Sequence, residues 1–206
     1  MDLAAKPLAG VKVLELGTLI AGPFCTRILA EFGAEVIKVE SPDGGDPLRQ
    51  WRKLHAGTSL WWSVQARNKR SFTANLKDPD GLTAVRRLAA EADIVVENFR
   101  PGVMTKLGFN FEEAQKVNPG IIYCSITGFG SGKGATLAGY DLLVQALGGL
   151  MSVTGPKDGG PTKVGVALID IMTGMNAVQG ILLALKARDD AKASGDAGQW
   201  KGQLIH

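Results

Sequence analysis

Short apolar runs alternate with helical segments over most of this chain, and this alternation constrains the fold more than any other feature of the sequence. An apolar run at 11–16 is followed by a helical segment at 24–32 and a second apolar run at 35–40. The same order returns as a helix at 79–92, a strand at 93–96, a helix at 111–117 and a strand at 121–126. Such alternation specifies a parallel sheet covered by helices. We therefore predict an α/β chain with a Rossmann-like parallel sheet and helices on both faces.

The rest of the chain is less regular. A long segment rich in turn residues, with Trp51, Trp61 and Trp62, follows the second strand, and loops of this length in compact domains are often functional. Helical patterns return at 141–151 and 171–188. The remaining residues are polar and small and show no apolar periodicity, so we expect a polar tail at 191–206.

Charge and hydropathy exclude several classes of partner. The chain has 23 Lys and Arg against 20 Asp and Glu, and its basic residues are scattered, so no nucleic acid partner is expected. The longest stretch without a charged residue, at 117–132, is shorter than a membrane-spanning helix, so no membrane segment is predicted. The first residues do not resemble a secretory signal, and we expect a cytoplasmic protein.

Cysteine and histidine are scarce. Cys25 and Cys124 lie in apolar segments without the spacing of a metal or redox motif, which predicts two buried, reduced thiols. His55 and His206 are the only histidines, so chemistry that needs a histidine base or a histidine metal cluster is largely ruled out. No metal site is predicted.

Two glycine-containing turns invite comparison with nucleotide-binding motifs. The first runs from Gly17 to Gly22, with Glu40 placed where a dinucleotide site has a ribose-binding acid, but it lacks the close glycine pair of that motif. We interpret it as an ordinary turn between strand and helix and expect no nicotinamide cofactor. The second, at 128–134, departs from the phosphate-loop pattern at Thr127 and Gly134, and a flexible loop, or a mobile lid, is the better interpretation.

Asp170 ends an apolar run and precedes a long helical segment. Aspartate is a preferred helix N-cap, and that role alone could explain it. Alternatively, the helix N-terminus presents this carboxylate to a cleft as a nucleophile. Basic residues that could meet an anionic ligand, each also explicable as a solvated surface charge, are Lys38, Lys69, Arg70, Lys77, Arg100 and Lys106.

Seven blocks of sequence, in order and with consistent spacing, resemble family III coenzyme A transferases. The blocks lie at 11–40, 44–49, 68–81, 93–109, 120–130, 138–155 and 164–177, and the resemblance extends from about residue 8 to about residue 199. It implies a CoA-binding large domain at 1–190, with the family's smaller C-terminal domain absent from this sequence. It also implies a homodimer of interlocked chains.

The resemblance assigns roles to individual residues. Asp170 matches the family's nucleophile, which would form an aspartyl-acyl anhydride and then an aspartyl-CoA thioester. Residues that match positions of CoA contact are Leu19, Ile20, Ala74, Asn75, Leu76, Lys77, Asn98, Phe99, Lys106 and Tyr140. The substrates implied are an acyl-CoA and a small carboxylic acid, with dicarboxylic acids such as succinate or glutarate favoured.

Two alternatives stay open. The α-methylacyl-CoA racemases share the fold but have a histidine base where this chain has Tyr140, and tyrosine is a poor base at neutral pH. Because family members have about twice this length, the chain could instead be a fragment that binds CoA without turning it over.

Overall fold

The computed structural model describes residues 6–195 and 200–206, in which six strands form one parallel sheet. These strands are β1 (Lys12–Glu15), β2 (Glu35–Glu40), β5 (Lys69–Thr73), β6 (Ile94–Glu97), β7 (Ile122–Ser125) and β8 (Gln203–Ile205). Their order across the sheet is β5-β2-β1-β6-β7-β8, and each neighbouring pair is parallel. A separate antiparallel hairpin joins β3 (Leu54–His55) to β4 (Thr58–Ser59). The predicted α/β class and parallel sheet are confirmed.

Helices connect the strands and cover both faces. They are α1 (Ala21–Glu31), α2 (Leu60–Gln65), α3 (Pro79–Glu91), α4 (Val103–Lys106), α5 (Phe111–Val117), α6 (Asp141–Leu147) and α7 (Leu168–Ala193). Short 3-10 turns lie at Pro47–Gln50 and Leu150–Val153. The helix predicted at 141–151 therefore stops at Leu147, where Gly148 and Gly149 follow, and resumes as a single 3-10 turn.

The two faces of the sheet carry two separate cores. Because strand side chains alternate between faces, Val13 joins the core beneath α1 and α7 while its neighbour Leu14 joins the core beneath α3 and α5. Cys25 and Cys124 are both buried in the first of these cores with free thiols, as predicted. Tyr123 belongs to the second core, and its hydroxyl donates to the carbonyl of Phe109 at 3.1 Å.

The polar composition of the last residues conceals a strand. Leu204 of β8 pairs with Tyr123 of β7, and Trp200 donates its ring N–H to the carbonyl of Gly120 at 3.2 Å. Backbone hydrogen bonds form whatever the side chains are, which explains why apolar periodicity gives no signal here. The part of the predicted tail at 196–199 lies outside the described residues.

Helix α7 is the longest element of the fold. It begins at Leu168 and ends at Ala193, several residues beyond both ends of the predicted helix. By length and composition alone it could span a membrane, a property that counts of uncharged residues did not reveal. Ile181 and Leu185 of α7 are buried in the core that it shares with α1, and long core helices meet the same criteria.

Candidate functional site

Asp170 lies in the first turn of α7 and lines a cavity that also reaches the turn after β1. The helix begins two residues earlier, at Leu168, and its N-cap is Ala167, whose side chain cannot accept a hydrogen bond. The interpretation of Asp170 as the N-cap is therefore wrong. Its placement at a helix N-terminus, facing a cleft, is what the structure shows.

A carboxylate from another helix caps the N-terminus of α7. Asp141, the first residue of α6, accepts hydrogen bonds through Oδ1 from the backbone N–H of Ile169 at 2.7 Å and of Asp170 at 3.3 Å. These are among the N–H groups that a helix leaves unpaired at its start. Asp141 therefore fixes the position of the helix turn that carries Asp170.

Gln145 holds Asp141 in place. Its side-chain amide donates to Asp141 Oδ2 at 2.6 Å, and its Oε1 accepts from the backbone N–H of Val164 at 2.9 Å. Gln145 is 1% exposed, so these bonds form away from solvent. It joins α6 to the segment that leads into α7, a role that no motif indicates.

The carboxyl of Asp170 is a weaker acid than an ordinary aspartate. Burial, and second the negative charge of Asp141, raise its pKa from 3.8 to about 6. A helix N-terminus by itself favours a carboxylate, so burial and the neighbouring charge outweigh that effect here. The group is still mainly ionised at neutral pH.

The cavity beside Asp170 has a volume of about 310 Å³ and brings together half of the predicted site. Predicted residues that line it with Asp170 are Leu19, Ile20, Asn98, Phe99 and Tyr140. The cavity is also lined by Thr18, Thr127 and Thr173, none of which was predicted as a site residue. These residues come from five separate segments of the chain, so only the fold brings them together.

Two more cavities adjoin the first and contain the other predicted residues. The second, of about 260 Å³, is lined by residues 74–77 and shares Thr18 and Phe99 with the first. The third, of about 400 Å³, shares Leu76 and Lys77 with the second and is also lined by Lys106. All the residues predicted to contact CoA therefore lie along one series of neighbouring cavities.

The third cavity is basic. Lys77 and Lys106 are both exposed, and Arg86 joins them in lining it while donating to the carbonyl of Gly108 at 2.6 Å. Three cationic side chains around one cavity suit an anionic ligand such as a phosphate group. Arg86 was not predicted.

Asn98 lines the Asp170 cavity, but its side chain is engaged with the protein. Its Oδ1 accepts from the backbone N–H of Thr18 at 2.8 Å, and its Nδ2 donates to the Thr18 carbonyl at 2.9 Å. A Cβ at Gly17 would lie 2.9 Å from Asn98 Oδ1, so this turn has no room for a side chain there. Asn98 thus shapes the cavity wall by holding the turn after β1.

Two of the basic candidates are not available to a ligand. Lys38 and Lys69 have side chains that are each 2% exposed, and both form ion pairs with the buried carboxylate of Glu15. Neither is a solvated surface charge, because both charges are paired inside the fold. Of the others, Arg100 lines the Asp170 cavity, and Arg70 is exposed on β5.

Both glycine-containing turns make close contacts within the fold. Glu40 uses both carboxylate oxygens on Arg49 and Ser71, so it has no free oxygen directed at a ribose. In the second turn, a Cβ at Gly128 would lie 2.2 Å from Gly139 Cα. Glycine is needed there for close backbone approach, which closes the loop between β7 and α6 on itself. Among the described residues, no group of three or more His, Cys, Asp or Glu is arranged to hold a metal ion.

The chain is similar to known proteins over nearly its whole length. A family model described as CoA-transferase family III matches residues 8–200. The chain is 46% identical over 203 residues to succinyl-CoA--D-citramalate CoA-transferase of Chloroflexus aurantiacus, covering 97% of this chain and 50% of that protein. It is 46% identical over 185 residues to succinyl-CoA:glutarate CoA-transferase of Mus musculus, covering 89% and 42%. The chain thus spans about half the length of the curated relatives it matches.

A solved structure shows the same fold. The crystal structure of a CAIB/BAIF family protein from Brucella suis superimposes with a TM-score of 0.88 at 44% sequence identity. The match covers 97% of this chain and 52% of that one.

Proposed function

This chain belongs to CoA-transferase family III, and from that premise we propose that it carries the nucleophile and the CoA site of an acyl-CoA:carboxylate CoA-transferase. The observation that carries the proposal is the position of Asp170. Its carboxylate lines a cavity that, together with the two cavities adjoining it, contains every residue that matches a CoA contact. A nucleophile at one end and cationic side chains at the other suit a ligand with a reactive thioester and phosphate groups.

In the first half of the reaction, the Asp170 carboxylate attacks the carbonyl carbon of the donor acyl-CoA. The carbon–sulfur bond breaks, the CoA thiolate leaves with the electron pair, and a mixed anhydride remains on Asp170. The thiolate then attacks the aspartyl carbonyl of this anhydride. The donor acid leaves as a carboxylate, and Asp170 is held as a CoA thioester.

The second half runs in reverse with the acceptor acid. The acceptor carboxylate attacks the aspartyl thioester and releases the thiolate, which then attacks the acceptor carbonyl of the new anhydride. The products are the acceptor acyl-CoA and the free Asp170 carboxylate. Every leaving group is a thiolate or a carboxylate, so no step requires a proton donor.

The charges of the site agree with these needs. Attack requires the ionised carboxylate, and a pKa of about 6 leaves Asp170 ionised at neutral pH while burial removes part of its hydration. In the described part of the chain, Arg100 is the one cationic side chain lining the Asp170 cavity. Its guanidinium group can pair with the carboxylate of an acid substrate. The named relatives act with succinyl-CoA, and we propose small dicarboxylic acids as substrates here.

The adjoining cavities give CoA a path. We place the nucleotide against residues 74–77 and its phosphate groups near Lys77 and Lys106, with the pantetheine passing Thr18 and Phe99 toward Asp170. Racemisation is disfavoured, because Tyr140 lines the Asp170 cavity and no histidine of the described residues does.

Trapping the covalent intermediate tests the proposal. The protein is incubated with succinyl-CoA and then hydroxylamine, and its peptides are examined by mass spectrometry. We expect a hydroxamate on Asp170 that is absent from Asp170→Asn and present in Asp158→Asn, a control at an exposed aspartate of the loop before α7. Measurable CoA binding without any label over a range of acyl-CoA donors would refute catalysis and leave a CoA-binding chain.

A further inference from the structure

Beneath the cavity wall next to Asp170 lies a buried cluster of four ionisable side chains, Glu15, Lys38, Asp46 and Lys69. We propose that the Lys38–Asp46 pair of this cluster is a positioning device that holds the turn at residues 17–20 in the shape required for CoA binding. The inference rests on the proposed function and adds two positioning residues to it.

Glu15 is the centre of the cluster. It lies on β1 and is 0% exposed, and its Oε1 accepts from Lys38 at 2.7 Å while its Oε2 pairs with Lys69 at 2.8 Å. Thr26 of α1 donates its hydroxyl to the same Oε2 at 2.6 Å. With both oxygens engaged, Glu15 ties β1, β2, β5 and α1 together at one point.

Lys38 extends the cluster to the turn. Its Nζ, besides pairing with Glu15, donates to the carbonyl of Gly17 at 2.7 Å and lies 2.9 Å from Asp46 Oδ2. An ammonium group has three protons to donate, and here all three have acceptors. The first residue of the turn is therefore anchored through its carbonyl by a buried charge.

Asp46 holds the turn from the other side. Both of its carboxylate oxygens lie 3.2 Å from the backbone N–H of Leu19, and Oδ1 also accepts from Leu48 at 2.8 Å. Leu19 has φ = 63°, a conformation that residues other than glycine rarely adopt and that persists only where the surroundings impose it. The Asp46 carboxylate and the Asn98 amide on Thr18 are the side chains that impose it.

The charges of the cluster balance, with two acids against two bases. Burial acts to raise the pKa of Glu15, but Lys38 and Lys69 lower it below its usual value. Burial acts to lower the pKa of Lys38, but Glu15 and Asp46 raise it above its usual value. Both groups therefore stay ionised inside the fold.

The place of the turn gives this cluster a functional consequence. Thr18 lines both the Asp170 cavity and the adjoining cavity, while Lys38 and Asp46 line only the latter. A buried ion pair is weak as a source of stability and is better suited to fixing one geometry. The turn thus separates the two cavities, and its shape sets the passage between the proposed sites of the nucleotide and the thioester.

Asp46→Asn tests the proposal, with Asp43→Asn as the matched control at an exposed aspartate of the same loop. The amide keeps the size of the side chain but turns an NH2 group toward either Lys38 or the Leu19 N–H. In the free protein we expect hydrogen exchange at the Leu19 amide to accelerate about tenfold. CoA should bind about tenfold more weakly by calorimetry. Because the variant leaves the buried Lys38 charge without one of its partners, the thermal midpoint should also fall, but exchange at amides outside the turn should rise much less than at Leu19. The control should change none of these.

Two results would overturn the proposal. One is unchanged exchange at Leu19 and unchanged CoA affinity in Asp46→Asn. The other is a rise in exchange over all strands as large as the rise at Leu19, which would mean that the cluster only stabilises the fold.

Two further controls keep the outcomes separate. If the unaltered protein does not bind CoA, the proposed function fails, while amide exchange in the free protein still decides whether Asp46 holds the turn. If Asp46→Asn does not fold, the unaltered protein provides the test. Its Leu19 amide should exchange at least about tenfold more slowly than that of Gly132, in an exposed loop. Equal rates would refute the positioning role.

Discussion

Asp141 Oδ1 accepts a hydrogen bond from the backbone N–H of Asp170 at 3.3 Å, so one carboxylate caps the helix that presents the other. The same oxygen accepts from Ile169 at 2.7 Å. This contact fixes the position of Asp170, and the negative charge that makes it also raises the pKa of Asp170. Position and acidity of the proposed nucleophile are therefore linked through one side chain.

Asp141→Asn should separate these two effects. The amide oxygen can still accept from the helix N–H groups, although the NH2 group that replaces Oδ2 loses the hydrogen bond from Gln145. The negative charge is lost, so we expect the pKa of Asp170 to fall below about 6 and to stay above 3.8, because burial remains. The rate at which Asp170 is acylated by succinyl-CoA rises with the ionised fraction, so its midpoint should move to lower pH. Rates measured from pH 4.5 to 8 in both proteins provide the check.

The control for this measurement is Asp158→Asn, whose profile should match that of the unaltered protein. An unchanged midpoint in Asp141→Asn would show that burial alone sets the acidity of Asp170. Loss of acylation at every pH would show that the amide does not maintain the cap.

Asp170→Asn should make the folded state more stable at neutral pH. A carboxyl whose pKa is about 6 when folded and near 3.8 when unfolded binds its proton more tightly in the folded state, so stability falls as pH rises between these values. Allowing for partial exposure, we expect the variant to gain about 1 kcal/mol at pH 7.5. The gain should vanish at about pH 3, well below 3.8, where both states of the parent are protonated. Urea unfolding at the two pH values measures it, and a variant less stable at pH 7.5 would contradict the assignment.

The sequence predicted the central sheet well, for a physical reason. Strands such as β6 and β7 are almost entirely buried and are mainly apolar, and the helices before them have clear start and stop signals. Strand β5 was missed because its residues KRSFT are mostly polar and its pairing to β2 depends on the backbone. β8 was missed because it has only three residues and follows a polar segment.

Side-chain partners far apart in sequence were beyond prediction. Asp170 and its neighbours could be named from motifs, but the cap from Asp141 comes from a residue 29 positions away. Lys38 reads as a surface cation in the sequence, and only the fold places it beside Glu15 and Asp46. A local sequence pattern can mark a residue as a candidate for the site. Which side chain it contacts depends on the tertiary fold.

Arg49→Lys should destabilise the loop after β2. Arg49 donates Nε and Nη2 to the two oxygens of Glu40, each at 2.8 Å, and lies 3.9 Å from the centre of the Trp62 ring. Lysine cannot make two parallel bonds or stack in this way, so we expect a loss of about 1–2 kcal/mol at pH 7. Arg52→Lys is the control, because Arg52 is exposed and only approaches Trp61 at 5.2 Å. It should change stability by less than about 0.5 kcal/mol.

The loss of stability in Arg49→Lys should depend on pH. Although burial acts to raise the pKa of Glu40, hydrogen bonds from Arg49 and Ser71 lower it to about 2. A lowered carboxyl pKa stabilises the fold above the unfolded value near 4.5, and this contribution is lost as pH falls toward 2. The gap between Arg49→Lys and the parent, measured by urea unfolding, should therefore narrow below about pH 4.5. A gap that does not change with pH would mean that stacking on Trp62 is the main contribution of Arg49.

Gly174→Ala and Gly180→Ala form a matched pair within α7. Both exchange glycine for the best helix former in a helix interior, which by itself stabilises a helix by up to about 1 kcal/mol. A Cβ at Gly174 would lie 2.8 Å from the carbonyl oxygen of Ala21, in the backbone of α1, and 3.1 Å from Phe24 Cδ1. A Cβ at Gly180 would lie 2.9 Å from Cγ2 of Ile205, a side chain at the edge of the sheet.

These contacts predict opposite outcomes, because helix backbone cannot move aside as a side chain can. Gly174→Ala should destabilise the protein by about 1–3 kcal/mol, whereas Gly180→Ala should lie between neutral and slightly stabilising. Because Ala21 directly follows the turn at residues 17–20, displacement of α1 should also weaken CoA binding in the first variant alone. Urea unfolding and calorimetry on both proteins measure this. Equal stabilities of the two variants would show that α1 can move away from α7 without loss of stability. In that case the Lys38–Asp46 pair, and not the packing of these helices, would hold the turn.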